Sequence, residues 1–177
     1  MRGSLGLVLV LAVALTGCST LPFTVDLTPQ LGEFRSGQQV VDFGGAAVRT
    51  LDLRLTAPPV AFAPPEVPIK DATGVVGGEY LIETDPPTRG PASVAIYLSD
   101  QPDDLFAEEN RAATLYLEVG SPSEFRLPLV LSEAAVRGVN RGLVYVGAVL
   151  EASLDDYARA ATLTWRIIEF SLGVELF

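Results

Sequence analysis

The chain has 177 residues, 22 acidic against 12 basic, a formal net charge of −10, no histidine and one cysteine. The acidic balance repels nucleic-acid phosphates and excludes a nucleic-acid partner. Without histidine, and with a single thiol, the ordinary zinc, copper, haem and iron–sulfur ligand sets, an internal disulfide and a histidine-activated nucleophile are excluded on supply.

Arg2 opens the chain, and Leu5 to Leu15 follows as an apolar run broken only by Gly6. That is about 11 residues, against about 20 needed to cross a hydrocarbon core. Thr16 and Gly17 are small, and Cys18 comes next. A basic start, an apolar middle and small residues at the cut make a secretory signal. Leu15-Thr16-Gly17-Cys18 resembles the lipobox of bacterial lipoproteins. The resemblance covers residues 1–19 and implies acylation of the Cys18 thiol, cleavage after Gly17 and a further acyl chain on the new amino group. Two or more chains hold a protein firmly at a bilayer. Ser19, where aspartate would imply inner-membrane retention, implies an outer-membrane address. The expected division is a signal peptide over 1–17, helical from about Ser4 to Leu15, a lipidated tether over 18–24, and one domain over 25–177. At roughly 3.3–3.6 Å per residue the segment after Cys18 reaches about 20 Å at most, which keeps the domain near the bilayer.

From Val25 onward the dominant period is two, the period of strands. Leu51, Leu53 and Leu55 alternate with Asp52, Arg54 and Thr56. The five prolines between Pro58 and Pro68 predict a stiff, irregular connection. Thr84 to Pro91 reads as a turn-rich loop. Val94, Ile96 and Leu98 mark the next strand, and Leu115, Leu117 and Val119 another. Between them, Asp104 to Ala113 reads as a short helical turn capped by Asp103. In the strand of Phe125, Leu127 and Leu129, Pro128 cannot donate to a ladder, so that strand lies at an edge or is bulged. Ser132 to Gly138 predicts a short crossover helix, capped by the serine and ended by the glycine. Leu143 to Leu150 is apolar on both faces and predicts a central strand. At the C-terminus Leu163, Trp165 and Ile167 share one parity, and Ile168, Phe170, Leu172, Val174 and Leu176 take the other. A strand with one buried face cannot change parity without an extra residue, so a β-bulge is predicted at Ile167–Ile168.

No constellation carries catalysis. There is no Gly-x-Ser-x-Gly elbow, and Lys70, the only lysine, lacks a Ser-x-x-Lys partner. Carboxylate pairs abound in so acidic a chain and point to no glycosidase cleft. Calcium is the one cofactor that the composition raises. Asp100, Asp103 and Asp104, with Glu108 and Glu109, are its weak candidate ligands, and Asp155-Asp156 forms a smaller cluster. The spacing is not that of an EF-hand, and a solvated acidic loop is the expectation. Phe177 is out of phase with the apolar face before it, which weighs against a transmembrane barrel.

The expected fold is all-β, an antiparallel sandwich of about eight to ten strands, immunoglobulin-like, with a small β-barrel as the alternative. The expected protein is a non-enzymatic cell-envelope lipoprotein, a membrane-anchored adaptor for another envelope component. The alternative is a lipocalin-like carrier of an apolar ligand. A filled core with Trp165, Phe170, Tyr145 and Tyr116 packed together or at an edge would mark the adaptor; an open apolar cavity of hundreds of Å3 would mark the carrier.

Overall fold

The computed structural model describes residues 23–174. The expected signal helix, Cys18, most of the tether and the last three residues lie outside them. Ten strands form two antiparallel sheets. The first sheet holds β1 (Phe23–Asp26), β2 (Ser36–Asp42), β5 (Ala72–Asp85), β8 (Ser123–Val130) and β10 (Ala160–Val174). Its order is β1-β10-β5-β8, with β2 on the same side of β10 as β1. The second sheet holds β3 (Val48–Thr56), β4 (Val60–Ala61), β6 (Pro91–Ser99), β7 (Arg111–Glu118) and β9 (Leu143–Ala158), in the order β3-β9-β6-β7 with β4 also on β9. The fold is a β-sandwich, and the described sheets do not close into a barrel. With β1 and β2 counted as one edge, and β3 and β4 as another, the order is the double Greek key of a jelly roll. Within the sandwich class this replaces the expected immunoglobulin-like order.

The period-two stretches all became strands, and β9 lies between β3 and β6 as its two apolar faces required. Pro128 sits in β8, which among the described residues pairs only with β5, so the strand lies at an edge as its proline required. The bulge falls where the parity changes. Ile167 pairs with Gly78, Glu169 pairs with Gly77, and Ile168 is the extra residue. Ile168 is 51% exposed, so it does not start the second apolar face as expected; that face begins at Phe170. Gly78 makes the bulge possible, because a Cβ there would lie 2.2 Å from the Arg166 carbonyl oxygen. On the open side of β10, Leu27 and Thr28 fill the gap between β1 and β2. Leu27 N donates to the Phe170 carbonyl (2.8 Å), and Phe170 N donates to Thr28 Oγ1 (2.8 Å).

The helix α1 (Glu133–Arg141) crosses from β8 to β9. Ser132 caps it, accepting from Ala135 N, but it runs past Gly138 and ends at Gly142, whose φ of 71° suits the left-handed cap. Gly138 is instead a contact point, since a Cβ there would meet the Leu143 carbonyl at 2.7 Å. The helical turn expected over Asp104–Ala113 shrinks to a 3-10 turn at Glu108–Asn110. Tertiary contacts override local propensity there: Leu105 is buried and Phe106 partly so against the outer face of β6 and β9, and Arg111 already belongs to β7.

The core between the sheets divides into two buried clusters. One, around Leu27, Val60, Leu98, Leu129 and Phe170, lies toward α1; the other, around Leu51, Ile82, Val119, Leu150 and Leu163, lies toward the opposite end. A third cluster of Tyr97, Leu105 and Val149 sits outside the second sheet. Gly147 permits it: a side chain there would meet Phe106 at 2.7 Å.

Candidate functional site

The candidate ligands Asp100, Asp103 and Asp104 follow β6. Asp100 directly follows Ser99, the last residue of β6. Its side chain is only 4% exposed, and it accepts from Arg137 Nε (3.2 Å), Arg137 Nη2 (3.3 Å) and Arg141 Nη1 (3.0 Å). The two arginines are one turn apart on α1, so one carboxylate clamps the helix to the end of β6. A burial this deep requires such pairing. Asp103 and Asp104 are exposed. Asn110 Nδ2 donates to the Asp104 carbonyl (2.7 Å), and Ser132 Oγ donates to Asn110 Oδ1 (2.9 Å), tying the loop to the cap of α1. Glu108 pairs with Arg111. Among the described residues, no group of three or more acidic, histidine or cysteine side chains is arranged to hold a metal ion. The Asp155-Asp156 pair lies exposed in the last part of β9, where Asp156 Oδ1 accepts from Tyr157 N (2.8 Å).

At the waist between the two core clusters lies an apolar cavity of about 100 Å3. Phe34, Tyr80, Phe125, Trp165, Ala148 and Ile96 are among its walls. Trp165 is fixed there: Nε1 donates to the Phe34 carbonyl (2.9 Å), and the two rings stand 5.8 Å apart. The four aromatic residues expected to share one core or edge are spread apart. Phe170 is buried between the sheets, Trp165 lines the cavity, Tyr145 packs on the outer cluster, and Tyr116 is 83% exposed.

Pairing across the second sheet creates an arrangement that the linear sequence hides. Asp52 faces Glu151, Glu151 faces Ser93, and Ser93 faces Tyr116, so four strands contribute one outward row. Two carboxylates, a hydroxyl and an exposed ring thus line a shallow surface groove. Each residue by itself reads as the wet face of a strand; only the register assembles them.

No protein-family model and no curated protein matches the chain. Among solved structures it is similar to a structure of infectious bursal disease virus, Gt strain, with 13% identity and a TM-score of 0.35 over 89% of this chain and 34% of that one. This chain therefore spans about a third of that protein's length. It is also similar to a bacterial lipoprotein of Bacteroides thetaiotaomicron, with 12% identity and a TM-score of 0.33 over 80% of this chain and 83% of that one. A third is the CBM36-1 domain of a multidomain xylanase from the hindgut metagenome of Trinervitermes trinervoides, with 9% identity and a TM-score of 0.29 over 89% and 99% of the two chains. At this level of superposition none of them assigns a family or an activity to this chain.

Proposed function

We propose that the protein is a lipid-anchored, non-enzymatic domain of the bacterial cell envelope that serves as an adaptor for another envelope component. The observation that carries this reading is the spacing of anchor and fold: β1 begins at Phe23, five positions after Cys18. A chain acylated at Cys18 would hold its domain at the bilayer surface with almost no free tether. Phe23 pairs with Val174 at the same end of the sandwich as Ala72, Val130 and α1. That end would face the lipid, and the turns at Gly44–Gly45 and Pro86–Gly90, with the last part of β9 at Asp155–Tyr157, would point away. The absence of histidine, and the clamping of Asp100 by two arginines, support a binding role over a catalytic one. The outward row Asp52, Glu151, Ser93 and Tyr116 is the proposed contact face.

The size of the interior cavity favours the adaptor over the carrier. Pockets that enclose a drug-sized ligand measure about 300–1,000 Å3; about 100 Å3 leaves no room for a lipid. The test is mass spectrometry of the membrane-extracted protein, followed by capture of partners with the anchored form. The reading expects an acylated N-terminus at Cys18 and a captured envelope protein that Tyr116→Ala releases. A native protein beginning at Met1 with a bare thiol, fractionating with the cytosol, would overturn it.

A further inference from the structure

The strands of the second sheet carry three cations, Arg49 and Arg54 on β3 and Arg111 on β7. Strands β4, β6 and β9 carry none. All three are engaged away from the outward row. Arg49 lies over the Tyr157 ring at 4.5 Å, Arg54 lies over the Phe106 ring at 5.5 Å, and Arg111 pairs with Glu108. Asp52 and Glu151 stand directly opposite each other on β3 and β9, both exposed. Like charges at directly opposed positions destabilise a sheet. Among the described residues neither carboxylate enters an ion pair. Arg54 is two residues from Asp52 on the same face, yet its guanidinium is held on Phe106. Solvation alone would be served by hydroxyl side chains, as in the neighbouring opposed pair Thr50 and Ser153. The sheet therefore keeps an unneutralised pair of carboxylates on a face that has no cation to spare for it.

In the same row Tyr116 is 83% exposed, and the small Ser93 separates it from Glu151. The groove thus has a ring at one end and two carboxylates at the other. We infer that this row receives a basic segment of a partner protein, with an arginine set between Asp52 and Glu151 and a second basic side chain over the Tyr116 ring. The inference rests on the adaptor reading for the face and goes beyond it in naming what the face takes. Charge complementarity selects the occupant. A guanidinium donates to two carboxylates at once, removes the repulsion between them, and is a favoured cation on an aromatic face. The net charge of −10 draws such a segment to the domain and repels an acidic one. A metal ion does not fit, because among the described residues no third ligand joins the pair. Neighbouring strands lie about 4.8 Å apart, so the ring and the middle of the carboxylate pair are roughly 12 Å apart. At about 3.3 Å per residue, an extended segment covers that distance in about four positions. Its two basic side chains then fall on the same side of the segment.

The test uses the full chain reconstituted in phosphatidylcholine vesicles, whose surface does not itself attract cations. The probe is a labelled glycine–serine peptide carrying two arginines four positions apart, and binding is read by fluorescence anisotropy. Asp52→Asn, Glu151→Gln and Tyr116→Ala should each weaken it about threefold or more. Glu83→Gln removes the same charge from the exposed face of β5 in the other sheet and should leave binding nearly unchanged. Relief of the repulsion should also raise the thermal midpoint of Asp52→Asn and Glu151→Gln at low salt by about 1–2 °C. No binding of the peptide, equal weakening by Glu83→Gln, or a lowered midpoint in both carboxylate variants overturns the inference. So does retention on peptidoglycan sacculi that needs Tyr116 and ignores Glu151→Gln, which would make the face a glycan site. The two readings fail separately. If Tyr116→Ala releases a captured envelope protein that Asp52→Asn and Glu151→Gln still hold, the basic segment is wrong and the adaptor stands. If the arginine peptide binds at the row but the captured protein ignores Tyr116→Ala, the adaptor face is wrong and the cation site stands.

Discussion

Deleting Ile168 is expected to leave the protein folded, whereas deleting Thr164, four residues earlier, is expected to cripple it. Removing the bulged residue lets Ile167 and Glu169 continue against Gly78 and Gly77, with Trp165, Ile167, Phe170 and Leu172 all still facing inward. Ile168 is 51% exposed, so about 1 kcal/mol of burial is lost. A regained ladder bond returns about 1 kcal/mol. Removing Thr164 leaves two choices. Either the bulge stays and Leu163 and Ala161, 7% and 3% exposed, turn to solvent, or Arg166 turns into the core. The first costs at least ~3 kcal/mol for the leucine and alanine together, out of the roughly 5–15 kcal/mol that holds a domain. Urea denaturation followed by Trp165 fluorescence measures both. A second check comes from Gly78→Ala, whose methyl group would strike the Arg166 carbonyl at 2.2 Å. It should cost more than about 2 kcal/mol in the native chain and distinctly less once Ile168 is gone, a coupling that a double-mutant cycle isolates. Equal losses from the two deletions, or no coupling, would refute the reasoning that the bulge exists to reconcile two parities.

Ala148→Leu should stabilise the domain: three added carbons enter the cavity of about 100 Å3, and filling is worth up to about 1–2 kcal/mol less any strain. A lowered thermal midpoint would mean that the cavity is not available. Asp100→Ala should cost about 1–2 kcal/mol, because the buried anchor of Arg137 and Arg141 is lost while both guanidinium groups still reach water; an unchanged urea midpoint would show that the clamp holds nothing. Stability should also fall at acid pH through Asp26 and Glu169. Hydrogen bonds from Thr28, side chain first and then amide, hold Asp26 below its ordinary 3.8, and the hydrogen bond from Arg126 holds Glu169 below its ordinary 4.5. Groups depressed in the folded state add stability that is complete above their unfolded values and is lost as pH falls through the folded ones. Denaturation midpoints taken between pH 6 and 3 should therefore drop less steeply in Asp26→Asn with Glu169→Gln than in the wild type, and identical slopes would remove both groups from the account.

Much of the architecture was legible in residue order because strand periodicity is local. The alternations at 51–55, 94–98 and 115–119, the doubly apolar 143–150, the edge position of Pro128 and the bulge after Ile167 all follow from which side of a pleat a residue occupies. The cap at Ser132 was equally local, because it needs only neighbouring residues. What spans the chain was not legible. The jelly-roll order joins β10 to β2 and β5, and β9 to β3 and β6, through pairings that no periodicity encodes. The fate of Asp100 depends on Arg137 and Arg141, on a helix beyond two intervening strands. Asp104 to Ala113 lost its helix because Leu105 and Phe106 found an outer face, opened by Gly147, that local propensity could not anticipate. The row Asp52, Glu151, Ser93 and Tyr116 exists only once four strands are in register. Sequence alone determined which residues want water and which do not, since that is a property of each side chain; the tertiary structure decided who faces whom, because contact between distant strands is set by packing the whole.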